Sequence, residues 1–145
     1  MILSKLHKAG FKFRGRPALW IKPSGQTLAP TVYMGANYEP FIYARKGQAE
    51  LQKRGRLETF VVAPVNPTEK IHPTERPLPL MAEILRSFAI PGDNILSPFL
   101  GSGNTIIAAH IAGMNCFGYD MVPDFKNRFI ERLQKDEILF GGKWW

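Results

Sequence analysis

The sequence predicts an α/β protein built around parallel strands, and three observations lead there. Residues 80–133 run through helix, strand, helix, strand and helix patterns in turn, a βαβ arrangement that requires a parallel pair. The chain has 145 residues, 45% apolar and 21% charged, enough for one domain and scarcely for two. Its 13 Gly and 12 Pro follow no period, which excludes collagen-like and low-complexity classes.

Each element has its own signal. Ile2, Leu3, Leu6 and Ala9 fall at helical spacing, and Gly10 closes a short helix. Phe11 to Ile21 alternates aromatic and basic residues and reads as one or two strands, broken at Gly15–Pro17. Pro23 to Tyr33 carries Ser-Gly and Ala-Pro breaks and is expected to be a loop. Glu39 to Ala44 reads as a buried strand stopped by Arg45-Lys46-Gly47, and residues 47–60 are polar and basic without strong period. Asn66 to Pro79 contains Pro67, Pro73, Pro77 and Pro79. Each biases its predecessor away from helix, so this is an extended connector. Leu80 to Ala89 places Leu80, Ile84, Leu85 and Phe88 on one helical face. Pro91-Gly92-Asp93 is a turn, Asn94 to Phe99 a short strand, and Asn104 to Ala112 a buried helix ended by Gly113. Asn115 to Asp120 is another strand, and Pro123 to Leu133 an amphipathic helix with Phe125, Phe129, Ile130 and Leu133 inward. The terminal Trp144-Trp145 is expected to cap a core or fray.

Composition narrows the function classes. No apolar run approaches the roughly 18 residues of a membrane span, and Met1 to Lys8 offers no signal-peptide core. A single cysteine, Cys116, forms neither an internal disulfide nor a zinc site. The expectation is a soluble, cytoplasmic protein without a metal. Charge is unevenly spread: residues 1–56 hold eleven Lys/Arg against two acids, net +9, and residues 57–145 hold eight against ten, net −2. A basic half beside a near-neutral half suggests a surface for a polyanion, nucleic acid above all.

The strongest chemical signal is a strand, then Phe99-Leu-Gly101-Ser-Gly103, then a helix, then a strand ending in Asp120. Glycines let the backbone turn tightly and approach a ligand. The helix start offers free amides and a positive dipole end. An acid at the tip of the next strand is placed for a ribose hydroxyl pair. Ile106 occupies the third-glycine position of a dehydrogenase fingerprint, which argues against a pyrophosphate-binding dehydrogenase. A second signal is His72-Pro-Thr-Glu-Arg-Pro77, a rigid segment leading into the helix before the glycine loop and able to wall the same pocket.

Together these stretches resemble the DNA methyltransferases that act on adenine N6 or cytosine N4. That family has His-Pro-Thr-(Glu/Gln)-Lys-Pro, a helix, Pro-Gly-Asp, a strand ending Asp-Pro-Phe-x-Gly-Ser-Gly, a helix, and a strand ending Gly-x-(Glu/Asp). The sequence reads His72 to Pro77, Pro91-Gly92-Asp93, Ser97-Pro98-Phe99-Leu100-Gly101-Ser102-Gly103 and Gly118-Tyr119-Asp120. Gly10-Phe11, Trp20-Ile21-Lys22 and Tyr38 to Tyr43 also look like family segments in order, so the resemblance covers nearly the whole chain. The order matches the subgroup in which cofactor motifs follow the catalytic one.

The resemblance implies an incomplete Rossmann-like methyltransferase sheet, mostly parallel with helices on both faces, transferring a methyl group from S-adenosylmethionine to a flipped base in DNA. It implies cofactor contacts from His72, Thr74, Glu75, Arg76, Ser97, Pro98, Phe99, Gly101, Ser102, Gly103 and Thr105, with Asp120 on the ribose. Phosphate contacts are expected from Lys12, Arg14, Arg16, Lys22, Arg45, Lys46, Lys53, Arg54 and Arg56. One partial domain is expected over 1–145. Within it, 1–56 faces DNA, 57–79 stands in place of a target-recognition region, and 80–145 is the cofactor-binding unit.

The sequence departs from the family in three places. The family's catalytic loop, (Asp/Asn/Ser)-Pro-Pro-aromatic, has no counterpart, since the chain holds no Pro-Pro dipeptide; Asn66-Pro67-Thr68-Glu69 is the nearest stretch. Ser97 stands where the family has Asp, and Arg76 where it has Lys. The expectation is a truncated or split form whose catalytic residues come from an upstream segment or a second chain. The alternative is a non-enzymatic DNA-binding remnant with weak or no cofactor binding.

Overall fold

The computed structural model describes residues 2–27 and 29–135. They form two compact units, one holding the chain up to Pro64 together with Glu83–Ala89, the other Val65–Ala82 and the residues from Ile90 onward. The role expected of Trp144 and Trp145 lies outside the described residues.

The first unit opens with α1 (Ile2–Lys8), which ends where Gly10 takes φ +81° and the Phe11 amide donates back to the Leu6 carbonyl. Its sheet has the order β2-β1-β3, with β1 at Ala18–Gln26, β2 at Ala36–Phe41 and β3 at Thr59–Val61. β1 is antiparallel to β2 and parallel to β3. Ala18 and Trp20 alternate inward on β1 and bury with Phe60 of β3, which stacks at 5.5 Å against Phe41. The Trp20 Nε1 donates to the Val62 carbonyl at 2.8 Å, so the indole is packed without an orphan N–H.

Three expectations change here. The loop expected from Pro23 is strand up to Gln26, because register breaks between Ile21 and Gln26 and that irregularity accommodates a residue with no N–H. β2 begins at Ala36 and is largely exposed, as suits an edge strand, where a buried strand from Glu39 was expected. Of Phe11 to Pro17, only Lys12 pairs, in a single bridge with Arg45.

The second unit holds the βαβ arrangement. β4 (Asn94–Ser97) and β5 (Asn115–Gly118) pair in parallel, in register from Asn94↔Asn115 to Ser97↔Gly118. Between them α3 (Asn104–Ile111) buries Ile107, Ala108 and Ala109, and small residues there let the helix lie close. After β5, α4 (Pro123–Lys135) starts on a proline, places Asp124 in its first turn and buries Phe129. α2 (Leu78–Phe88) is shared: its start, with the buried Leu80, belongs to this unit, and its residues from Glu83 belong to the first, where Leu85 and Ser87 are buried and the Ser87 hydroxyl donates to the Glu83 carbonyl at 2.7 Å. Two of the three strand pairs are parallel, but they are divided between a three-stranded and a two-stranded sheet, so the fold is α/β and Rossmann-like with small, mostly parallel sheets where one incomplete sheet is the expectation.

Candidate functional site

The glycine turn joins β4 to α3, and three backbone links fix it against the end of β5. The Tyr119 amide donates to the Ser97 carbonyl, the Leu100 amide to the Tyr119 carbonyl, and the Gly101 amide to Asp120 Oδ2 at 2.7 Å. Asp120 Oδ1 accepts from the Val122 amide at 3.0 Å. These two amides, Val122 first, hold the exposed Asp120 carboxyl below the usual carboxylate range, so it stays anionic. Each oxygen keeps lone pairs for an outside donor.

Gly103 is required by geometry. Its φ is +79°, and a Cβ there would lie 2.2 Å from the Phe129 ring. At Gly101 (φ +58°) a Cβ would touch the His72 ring at 3.5 Å, so the imidazole lies over the turn. That ring also packs on Phe125 at 4.2 Å, and its Nδ1 is 3.2 Å from both the amide and the hydroxyl of Thr74. The residues expected to meet from two distant stretches do meet. A cleft of about 90 Å³ is lined by His72, Thr74, Arg76, Phe99, Gly101, Ser102 and Thr105, joined by Met81, Leu100 and Asn104. Phe99 offers a ring that is 87% exposed.

Ser97, Pro98, Gly103 and Asp120 stand outside that lining, Asp120 bonded to it through Gly101. Glu75 is a correction. It is buried and its carboxylate is taken up by Arg132 at 2.7 and 3.3 Å, by the Ile71 amide at 2.9 Å and by Asn104 Nδ2 at 3.1 Å. Burial alone would raise its pKa; the donors, Arg132 foremost, more than offset this and hold it below the usual range. Glu75 therefore ties the His72 segment to α3 and α4 rather than lining the cleft. Sequence reading missed Arg132 and Asn104. Asn104, a polar residue directly after the glycine turn in an otherwise apolar helix, was the available signal; Arg132 gave none.

The expected phosphate-binding residues divide. Lys12, Arg14, Arg45, Lys46 and Arg56 line one groove in the first unit. Arg16 is paired with Glu58 at 3.0 Å, and Lys53 lies 3.6 Å from Glu83. Lys22, an expected phosphate contact, is bonded to Glu39 at 2.8 Å and lies over the Trp20 ring. Arg54 is exposed. Among the described residues no group of acidic, His or Cys side chains is arranged to hold a metal, and no helix is long and apolar enough to cross a membrane.

A strand, a glycine turn, a helix and a second parallel strand tipped by an acid define a Rossmann-like α/β unit of the methyltransferase kind. The chain belongs to the DNA methylase family N6_N4_Mtase, which matches residues 2–131. It is 39% identical over 59 residues to the type II methyltransferase M.MthZI of Methanothermobacter thermautotrophicus, covering 41% of this chain and 17% of that protein. It is 32% identical over 83 residues to the type II methyltransferase M2.MboI of Moraxella bovis, covering 47% and 30%. The fold of M1.HpyAVI, solved as a SAM complex, matches at TM-score 0.78 and 24% identity over 91% of this chain and 67% of that one. The cytosine-N4-specific PvuII DNA methyltransferase matches at TM-score 0.68 and 16% identity, over 98% and 62%. The matched regions span less than a third of those curated relatives.

Proposed function

We propose that this chain is the cofactor-binding and DNA-facing part of an amino-methylating DNA methyltransferase, acting in the cytoplasm within a modification system. The observation that carries the reading is the cleft at the glycine turn, where His72, Arg76, Phe99 and Thr105 meet beside the anionic Asp120. The chemistry of these residues suits S-adenosylmethionine, of which the cleft of about 90 Å³ would enclose one part while the rest lies across the open surface toward Asp120. Asp120 keeps acceptor capacity for ribose hydroxyls, Phe99 offers a free ring face, and Gly101 adds no side chain over the turn. When bound, the cofactor supplies an electrophilic methyl group. The chain's own residues orient it: Asp120 through the ribose, His72 and Thr74 as one wall, Ser102 and Thr105 through their hydroxyls. The 1–56 segment faces DNA phosphates, and 57–79 stands where a target-recognition region would.

Catalysis then requires an Asp/Asn/Ser-Pro-Pro-aromatic loop that this sequence does not contain. With tritiated S-adenosylmethionine and mixed-sequence DNA, the chain alone should transfer no label. Co-expression with a segment carrying that loop should restore transfer, and failure in every pairing would remove the enzymatic reading. The presence of Ser97 in place of an acid favours a second reading, a DNA-binding remnant; it predicts DNA binding with weak or no cofactor binding.

A further inference from the structure

Deepening the DNA-facing reading, and resting on it, we infer that the first unit carries a groove for an unpaired nucleic acid strand. A cavity of about 710 Å³ is lined by Lys12, Arg14, Arg45, Lys46 and Arg56, with Phe13, Tyr43, Leu51 and Phe88 among them. That volume lies within the range of sites that enclose a whole ligand. Two acids also line it, Glu50 and Glu58. Glu58 accepts from the Tyr43 hydroxyl at 2.6 Å, which leads in keeping it ionised, and its charge is offset by Arg16 at 3.0 Å, which is outside the lining, with Arg14 at 3.6 Å. The groove is therefore positive.

Arg56, on the groove wall, stacks its guanidinium on Phe60 at 4.1 Å and reaches Glu83 at 3.4 Å, so its charge is held in place.

The apolar residues decide which polyanion fits. Phe88 is 40% and Leu51 44% exposed, and Phe88 lies 6.0 Å from the Tyr43 ring. A duplex hides its base faces in the stack and presents phosphates and base edges. Only unpaired nucleotides offer π-faces to a ring while their phosphates meet lysine and arginine, which is how sequence-tolerant single-strand grooves work. Cations around aromatic side chains in a concavity match that ligand, and a flat array of exposed lysines would have matched a duplex.

The test is fluorescence anisotropy of the full chain with labelled oligo-dT and with a duplex of equal length, across a salt series. Oligo-dT should bind more tightly than the duplex. R45Q/K46Q should weaken oligo-dT at least tenfold and flatten the logarithmic salt slope by about 1.4, since each lost phosphate contact on a single strand removes roughly 0.7. K5Q/K8Q removes the same charge from α1, outside the groove lining, and should weaken oligo-dT clearly less than R45Q/K46Q does. F88L, which keeps apolar bulk and removes the ring, should weaken oligo-dT about tenfold while sparing the duplex. Melting temperatures matching the parent chain show that these losses are not unfolding. Tighter duplex binding, or equal losses in R45Q/K46Q and K5Q/K8Q, would overturn the groove and leave the DNA-facing reading intact. Binding to neither form would overturn both.

Discussion

Replacing Arg132 by Leu should be the most damaging single change that touches no proposed ligand contact. The Glu75 side chain is 2% exposed and Arg132 18%, and they meet at 2.7 and 3.3 Å. Without the guanidinium, a buried carboxylate keeps only the Ile71 amide and Asn104 as donors. Breaking a buried pair in this way costs about 3–5 kcal/mol. Removing both charges with Glu75→Leu/Arg132→Leu leaves no buried ion. Asn104 Nδ2 still has the Arg76 carbonyl at 2.8 Å, and Asn104 Oδ1 loses its 3.1 Å bond from Arg132 in both variants, so the orphan that the double variant adds is the Ile71 amide, at about 1–3 kcal/mol. The double variant should thus be more stable than the single, measured by urea unfolding followed by far-UV circular dichroism at pH 7. Acid should shrink the difference. Glu75 has a depressed folded pKa, so its contribution is present above the unfolded value of roughly 4.3 and is lost as pH falls through the folded one. Once Arg132 is gone, burial dominates and the carboxyl protonates readily, so parent and variant converge at low pH. A loss under about 1 kcal/mol in Arg132→Leu, or a double variant weaker than the single, would refute this reasoning.

Other changes give further checks. Gly103→Ala forces a Cβ into the Phe129 ring at positive φ and should cost at least about 2 kcal/mol from overpacking and backbone strain together, read by the same unfolding curve. Ser97→Asp restores a carboxylate beside the turn and should tighten S-adenosylmethionine by about 10- to 100-fold, the effect of roughly 1.5–3 kcal/mol from a charge-assisted contact, measured by calorimetry. In an ultraviolet pH titration, the bond to Glu58 delays Tyr43 beyond its usual pKa near 10, and Tyr43→Phe should remove that late-titrating phenol.

The second unit was more legible in sequence than the first, for physical reasons. Helix α3 buries Ile107, Ala108 and Ala109 and α4 buries Phe129, as their apolar spacing predicts, and β4 and β5 are bracketed by Gly92, Gly101, Gly113 and the Asp120 turn. In the first unit, β3 is three residues long, too short for a period to register. Pro23 reads as a breaker, and only its partner strand explains why β1 tolerates it. Site residues followed the same rule. The glycine turn and Asp120 are local features, fixed by spacing along one βαβ unit. The role of Glu75 depends on Arg132, 57 residues away, and on Asn104, 29 residues away. No spacing rule links such positions, so in sequence an acid within a cofactor motif reads as a cofactor contact.

The central claim is that the cleft at the glycine turn holds S-adenosylmethionine, and isothermal titration of the purified chain with that cofactor tests it most directly. Saturable one-to-one binding is predicted, weakened at least tenfold by Asp120→Asn, which keeps the size of the side chain and removes its charge. Absence of binding at millimolar cofactor, or binding unchanged by Asp120→Asn, would contradict the account.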